Sequence, residues 1–338
     1  MTCTGKYPCG RRPWLFLLAL ACGLLAPAVA SASAVCETAS EMDQSMRSAL
    51  ETTARGYFAL AAKGDLAALR QASIPAVAND FGGIEAAVNE NKDNFASAQV
   101  SVRPPFLLDA ADNHAPLARA EFFCGIYNSP DRVGFVIPNL PSGTYGFVTL
   151  DLATRKGPYM VSMVLEQQSN AWKLAGYYVR QASFAGRDAQ WFWDKAREFK
   201  SKNQLRNAYY YYIEARQLLV PVDFMGTPQL DKLYDETQQV VPKDLPSDGP
   251  LDVAISGKTY KLAQVFPVPA GEDLDLVVKY QVNDAGNTTQ SYQDNMALIK
   301  GFIAKFPEFR DGFNAIVARA VDSSGREYGS LLAMKDIK

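Results

Sequence analysis

The sequence predicts an α+β protein. Three observations carry that expectation: apolar residues at helical spacing in a few separate blocks, alternating apolar spacing through a long middle stretch and again near the end, and an N-terminal segment that fits neither pattern. The expected order is a leader (1–34), a helix-plus-sheet unit (35–186), a helical hairpin (187–240), a linker (241–250) and a small unit of β-β-α-β-β order (251–338).

The leader carries Lys6, Arg11 and Arg12, then an uncharged apolar run from Trp14 to Leu25, then small residues from Ala26 to Ala34. Basic, apolar, then small is the order of a cleaved secretory signal. Cleavage fits after Ala30 (Ala28-Val29-Ala30) and equally after Ala34 (Ala32-Ser33-Ala34). An uncleaved anchor needs roughly 18 or more consecutive apolar residues, and Pro27 interrupts this run early. Cys22, after Leu18-Ala19-Leu20-Ala21, is the alternative lipid acceptor of a lipoprotein, although apolar sequence continues beyond it to Leu25. The Arg11-Arg12 pair is followed by Pro13 and Trp14, a poor match to a twin-arginine signal. The expected location is therefore periplasmic or secreted, with no membrane span after Ala34.

Without residues 1–34 the chain holds 31 Lys and Arg against 36 Asp and Glu, a net charge of −5. That balance, with no basic stripe, argues against nucleic acid as a partner. Cys3, Cys9 and Cys22 leave with the leader, so Cys36 and Cys124 remain. Two outcomes fit them: one disulfide in an oxidising compartment, or two free thiols with Cys124 buried.

About 300 residues follow the leader, more than a single core usually organises. From Met42 to Lys63, apolar residues recur at Met46, Leu50, Ala54, Tyr57, Phe58 and Ala61, the spacing of a helix buried along one face. Gly64 supplies a stop, and Asp65 can cap a second helix over Leu66–Gln71. A third is expected near Gly83–Asn91. The period then turns to alternation over Ala98–Leu108, Ala118–Tyr127, Thr144–Leu152, Tyr159–Glu166 and Trp172–Gln181, which predicts mostly antiparallel strands.

The run Ala54-Arg55-Gly56-Tyr57-Phe58, followed by Lys63-Gly64-Asp65-Leu66-Ala67-Ala68-Leu69, resembles the opening of the NTF2-like superfamily over about residues 44–186. The resemblance implies a long first helix, a Gly-Asp break and a strongly curved antiparallel sheet closing a cone. It also implies a possible homodimer through the open sheet face. The stretch Pro130–Gly143 departs from the family in being long and proline-punctuated, which predicts a connection partly covering the cone mouth.

Phe192, Ala196, Phe199, Ala208, Tyr212, Ala215 and Pro221 resemble the large and small positions of one tetratricopeptide-type helix pair. A single copy cannot stack into a solenoid, so a hairpin packed on a neighbouring unit is expected. Tyr209–Tyr212 places aromatics around the whole second helix, which predicts cover on more than one side or a face awaiting a partner. The segment Val241–Pro250, with three prolines and a glycine, reads as a linker. Beyond it, strands at Thr259–Phe266 and Leu274–Val282 precede a helix over Ser291–Phe306 that Pro307 ends. Asn314–Val321 and Glu327–Met334 then flank the turn Asp322-Ser323-Ser324-Gly325.

His114 is the single histidine, and its turn-like surroundings Asp109 to Pro116 predict an exposed loop residue. Histidine-based triads and multi-histidine metal sites are thereby disfavoured, and no metal ligand set, phosphate loop or cofactor is expected. Carboxylates can do acid–base work alone, as in NTF2-like isomerases, where poor solvation shifts an Asp in an apolar cone. Asp80 and Asp151, with Tyr57 as hydrogen-bond donor, are the candidates, although Asp80 equally suits a turn or cap. The expected cone wall is aromatic: Tyr57, Phe58, Phe122, Tyr145, Tyr159 and Tyr177 as pocket candidates, with Phe81, Phe123 and Phe147 beside them. Such a wall serves a small apolar ligand or an ordinary core. Two functions follow as expectations. One is an exported non-catalytic binding or scaffolding protein with an envelope protein partner. The other is a pocket enzyme of isomerase or dehydratase type, or a carrier of a small apolar ligand.

Overall fold

Alternation and helical periodicity resolve into three packed layers followed by a second helix-and-sheet assembly. The computed structural model describes residues 34–113 and 115–338, so residues 1–33 of the leader and His114 lie outside the described residues. The described residues all belong to one unit, Ala32–Lys338.

Strand β1 (Val35–Thr38) precedes helix α1 (Gln44–Lys63), which buries Leu50, Ala54, Phe58 and Ala61 along the face expected from their spacing. Gly64 ends α1 at φ 71°, with its N–H directed to the carbonyls of Leu60 and Ala61. The Asp65 carboxylate then accepts the Ala68 N–H at 3.0 Å and starts α2 (Leu66–Ala72). The short α3 (Pro75–Asn79), opened by Pro75, adds to the expected elements. Helix α4 runs Gly82–Phe95, longer than the expected 83–91.

The expected strand 98–108 is two strands, β2 (Gln99–Val102) and β3 (Phe106–Asp109). Pro104 and Pro105 divide them, because neither can donate to a ladder. Strands β4 (Leu117–Cys124), β5 (Val133–Leu140), β6 (Thr144–Thr154), β7 (Gly157–Gln168) and β8 (Ala171–Gln181) follow. The main sheet is antiparallel, in the order β1-β3-β6-β7-β8, with β2 on the far half of β6.

Strands β4 and β5 do not join that sheet. They form a hairpin completed by β9 (Met225–Gly226) into a separate three-stranded sheet. This corrects the expected proline-punctuated connection over 130–143, most of which is β5. Pro138 is tolerated there because β9 pairs only Gly134 and Phe135, so at Pro138 the strand's other edge is open.

Helices α1 to α4 cover one face of the main sheet, packing Leu50, Phe58 and Phe95 against Val148, Leu150, Val161 and Met163. On the other face Tyr145, Phe147 and Val164 pack under Phe122, Phe135 and Val222. Gly146 lies on the helix side of β6. A Cβ there would overlap Leu50 Cδ2, so the close seating of α1 depends on the missing side chain.

Helices α5 (Ala189–Ser201) and α6 (Leu205–Leu219) form the expected hairpin, and α7 (Pro228–Gln238) adds a third helix. Asp188 accepts the Trp191 N–H and Thr227 the Leu230 N–H as caps of α5 and α7. Tyr210, Tyr211 and Tyr212 are buried on successive sides of α6, as core packing requires, while Tyr209 is half-buried.

The last assembly has β10 (Leu251–Ile255), β11 (Lys258–Ala270), β12 (Asp273–Gln281), α8 (Thr288–Lys305), α9 (Phe309–Gly312), β13 (Ala315–Val321) and β14 (Glu327–Ala333). The expected β-β-α-β-β order lacked β10, a five-residue strand that Ser256 and Gly257, both at positive φ, turn tightly into β11. The sheet order is β10-β11-β12-β13-β14, with β12 and β13 parallel across the α8 crossover. One apolar core runs from Ala185 to Ile337 and joins the helical hairpin to this sheet. The Tyr211 hydroxyl donates to the Gly312 carbonyl at 2.7 Å across that junction. The segment 241–250 is packed rather than free: Leu245 is buried in the shared core, and Asp244 accepts from Arg206.

Candidate functional site

The carboxylates expected to do chemistry are placed elsewhere. Asp80 is exposed at the C-terminal end of α3. Asp151 lies on β6 in a two-point ion pair with Arg103, Nε to Oδ2 at 2.8 Å and Nη2 to Oδ1 at 2.7 Å, each side chain 42% exposed. The Tyr57 hydroxyl donates to the Trp172 carbonyl, which ties α1 to β8. Among the described residues, no hydrogen bond joins either Asp to Tyr57.

The six aromatic pocket candidates are not brought together. Phe58, Tyr159 and Tyr177, with Tyr57 at the margin, belong to the helix side of the main sheet. Phe122 and Tyr145 belong to the opposite side. The expected single aromatic wall is thus corrected: the sheet itself separates its members, and both sets are filled core. Phe95 stands between Phe58 and Tyr159, with ring centroids 5.6 and 5.5 Å away. The Tyr159 hydroxyl accepts from Gln181, and the Tyr145 hydroxyl donates to the Pro141 carbonyl. Burial, with the charge of Glu166, pushes the Tyr145 phenol up to about 12. The Tyr177 hydroxyl is buried without a hydrogen-bond partner, and desolvation raises it.

Set against known proteins, the chain matches no family model, no curated protein and no solved structure. Its site therefore rests on its own geometry.

The most conspicuous surface is the tip of the β4–β5 hairpin. Phe123, Ile126 and Tyr127 are 75%, 79% and 83% exposed within five residues. Alternation along β4 turns Phe122 and Cys124 inward and so sends Phe123 out. Cys124 is joined to Cys36 in a disulfide with Cα atoms 5.1 Å apart, which fastens the base of the tip to β1. Gly125 and Asn128 take positive φ, and the Ser129 N–H donates to the Ile126 carbonyl at 3.0 Å. The tip is therefore a tied turn.

Beside it is an apolar cavity of about 260 Å³ between the hairpin and the start of α7, lined in part by Phe123, Tyr127, Val133 and Val136. Arg132 and Asp231, 3.3 Å apart, form its polar rim. Small-molecule pockets run roughly 300–1,000 Å³, so this space suits one or two large side chains better. Sequence periodicity missed the tip because it carried the predicted strand on to Tyr127 and counted Phe123 among the interior aromatics. Among the described residues, no cluster of three or more His, Cys, Asp or Glu is placed to hold a metal ion. No helix there is long and apolar enough to cross a membrane.

Proposed function

We propose that the chain is an exported, non-catalytic binding protein of the cell envelope, and that a protein partner docks on the tip of the β4–β5 hairpin. The observation carrying this reading is the exposure of Phe123, Ile126 and Tyr127 together on a disulfide-fastened turn beside an apolar cavity. Clustered exposed aromatic and aliphatic residues around a pocket with a polar rim make the pattern of an interface hot spot. A protein is favoured over a lipid surface because the cation of the tip, Arg132, is engaged by Asp231, and Asp131 lies beside it. Among the described residues of the tip, 123–132, no free cation is left to hold anionic headgroups. Export rests on the order of charges and small residues in 1–34.

Within the same proposal, residues 44–186 are read as NTF2-like, supported by the long α1, the Gly64-Asp65 break and the antiparallel sheet that follows. Residues 188–236 are read as one docked tetratricopeptide-like pair. The sheet β4-β5-β9 covers part of the main sheet's far face, which leaves a homodimer through that face less room.

A photo-crosslinking residue at position 126 in the native compartment tests the docking site. The expected result is one adduct of fixed mass, lost on Phe123→Ser and absent with the probe at the exposed Tyr234. Adducts indistinguishable between 126 and 234 would overturn it. So would flotation of the protein with lipid vesicles that Phe123→Ser abolishes, since the tip would then be a membrane contact.

A further inference from the structure

A second concavity lies on the other assembly, between α6 and the middle of β11, with residues 246–249 along its rim. Its volume, about 760 Å³, is within the range of small-molecule sites, roughly 300–1,000 Å³. Tyr209, Tyr210, Val265 and Phe266 supply aromatic and apolar lining, and Glu214 and Asp248 supply two carboxylates, while no described Lys or Arg lines it.

The carboxylate of Glu214 forms no hydrogen bond or ion pair with any described residue. The cations nearest the cleft's aromatic residues are engaged elsewhere, and Arg216, on the same helix, is not among the residues lining the cleft. Arg206 is held by Asp244 and Glu308, and Lys279, which lies over the Phe266 ring, is held by Glu327. Burial pushes Glu214 up to about 7, with no compensating charge. The Tyr210 hydroxyl, on the same cleft, is also buried without a hydrogen-bond partner. A buried hydroxyl and a half-buried carboxylate without protein partners in one cleft are ordinary in a site whose ligand completes them.

We infer that this cleft binds a small organic ammonium ion, with its charged head against Glu214 and its apolar body on Tyr209 and Phe266. A carboxylate without a counter-ion selects a cation. Aromatic faces favour a weakly hydrated organic one, by cation–π attraction of roughly 0.5–2 kcal/mol. A hard metal ion would need several oxygen ligands in place of its water, and among the described residues no group of three or more His, Cys, Asp or Glu is placed to hold one. This site is separate from the hairpin tip and does not depend on it.

Benzylamine and its uncharged analogue benzyl alcohol, titrated calorimetrically into the protein lacking residues 1–34, test the inference. Saturable binding of benzylamine at pH 8 is expected, at least tenfold weaker in Glu214→Gln and unchanged in the tip variant Phe123→Ser. Benzyl alcohol should bind at least tenfold more weakly than the amine. If Glu214→Gln does not fold, the unsubstituted protein still decides the matter. Its affinity for benzylamine should rise as pH rises through about 7, where Glu214 ionises; of the other groups facing the cleft, burial raises the Tyr209 and Tyr210 phenols, hydrogen bonds to Asp244 and Glu308 raise Arg206, Lys279 is paired with Glu327, and Asp248 is the second carboxylate. Absence of saturable binding, equal affinity for the alcohol, or a Glu214→Gln variant that binds as well as the parent would each overturn it.

Discussion

At the scale of single residues, Asp151 and Glu214 show why a carboxylate's role is not written in its neighbours along the chain. Asp151 sits among apolar strand residues, the setting expected of a shifted catalytic acid, yet Arg103 on the adjacent segment grips both its oxygens near solvent. Glu214 follows a tyrosine run on a helix and nothing in the sequence singles it out, yet its carboxyl is raised by desolvation. Its surroundings dictate a sign. Burial raises its carboxyl from 4.5 to about 7, so over that interval the folded chain keeps a proton that the unfolded chain releases. Stability from this group is therefore complete below about pH 4.5 and falls as pH rises to 7. Denaturant titrations of the parent and of Glu214→Gln should coincide near pH 4 and diverge above pH 7, the variant being more stable by on the order of 1–2 kcal/mol. Parallel curves at all pH values would remove the premise of a buried, uncompensated carboxylate.

At the scale of elements, the parts specified by local chemistry were legible. The α1 face, the Gly64 stop and the Asp65 cap depend on residues within one or two helical turns of each other, and all three are found where the sequence placed them. Strand membership was not legible. Alternation identifies β4 and tells which residues share a face, but not which sheet it enters, and β5 was hidden by Pro138 because a proline is excluded only where a ladder partner exists. The contact between α1 and β6 is likewise non-local and makes a sharp prediction. Gly146→Ala should cost about 1–3 kcal/mol, because its Cβ meets all three branch carbons of the fully buried Leu50 within 3.3 Å. Pairing it with Leu50→Ala should recover part of that loss in a double-mutant cycle. A cycle that adds without coupling would mean α1 shifts on the sheet instead.

At the scale of the whole molecule, the helical hairpin and the C-terminal sheet share one core through Phe199, Tyr211, Phe309 and Phe313. A fragment of residues 187–238 should therefore lack near-ultraviolet dichroism and protected amides, whereas 187–338 should show both. A hairpin fragment with cooperative unfolding of its own would contradict the shared core. By itself the sequence determined the α+β class, most of the helices and strands and the faces they bury, because periodicity, caps and turn residues act over a few positions. It also supplied both cysteines of the disulfide, without deciding that they pair. Tertiary structure alone decided that the aromatics divide between two sides of one sheet, that Asp151 is matched and Glu214 is not, and that Phe123 faces water. Each of those depends on which distant segments are packed together, and burial, pairing and desolvation are properties of that packing rather than of any stretch of chain.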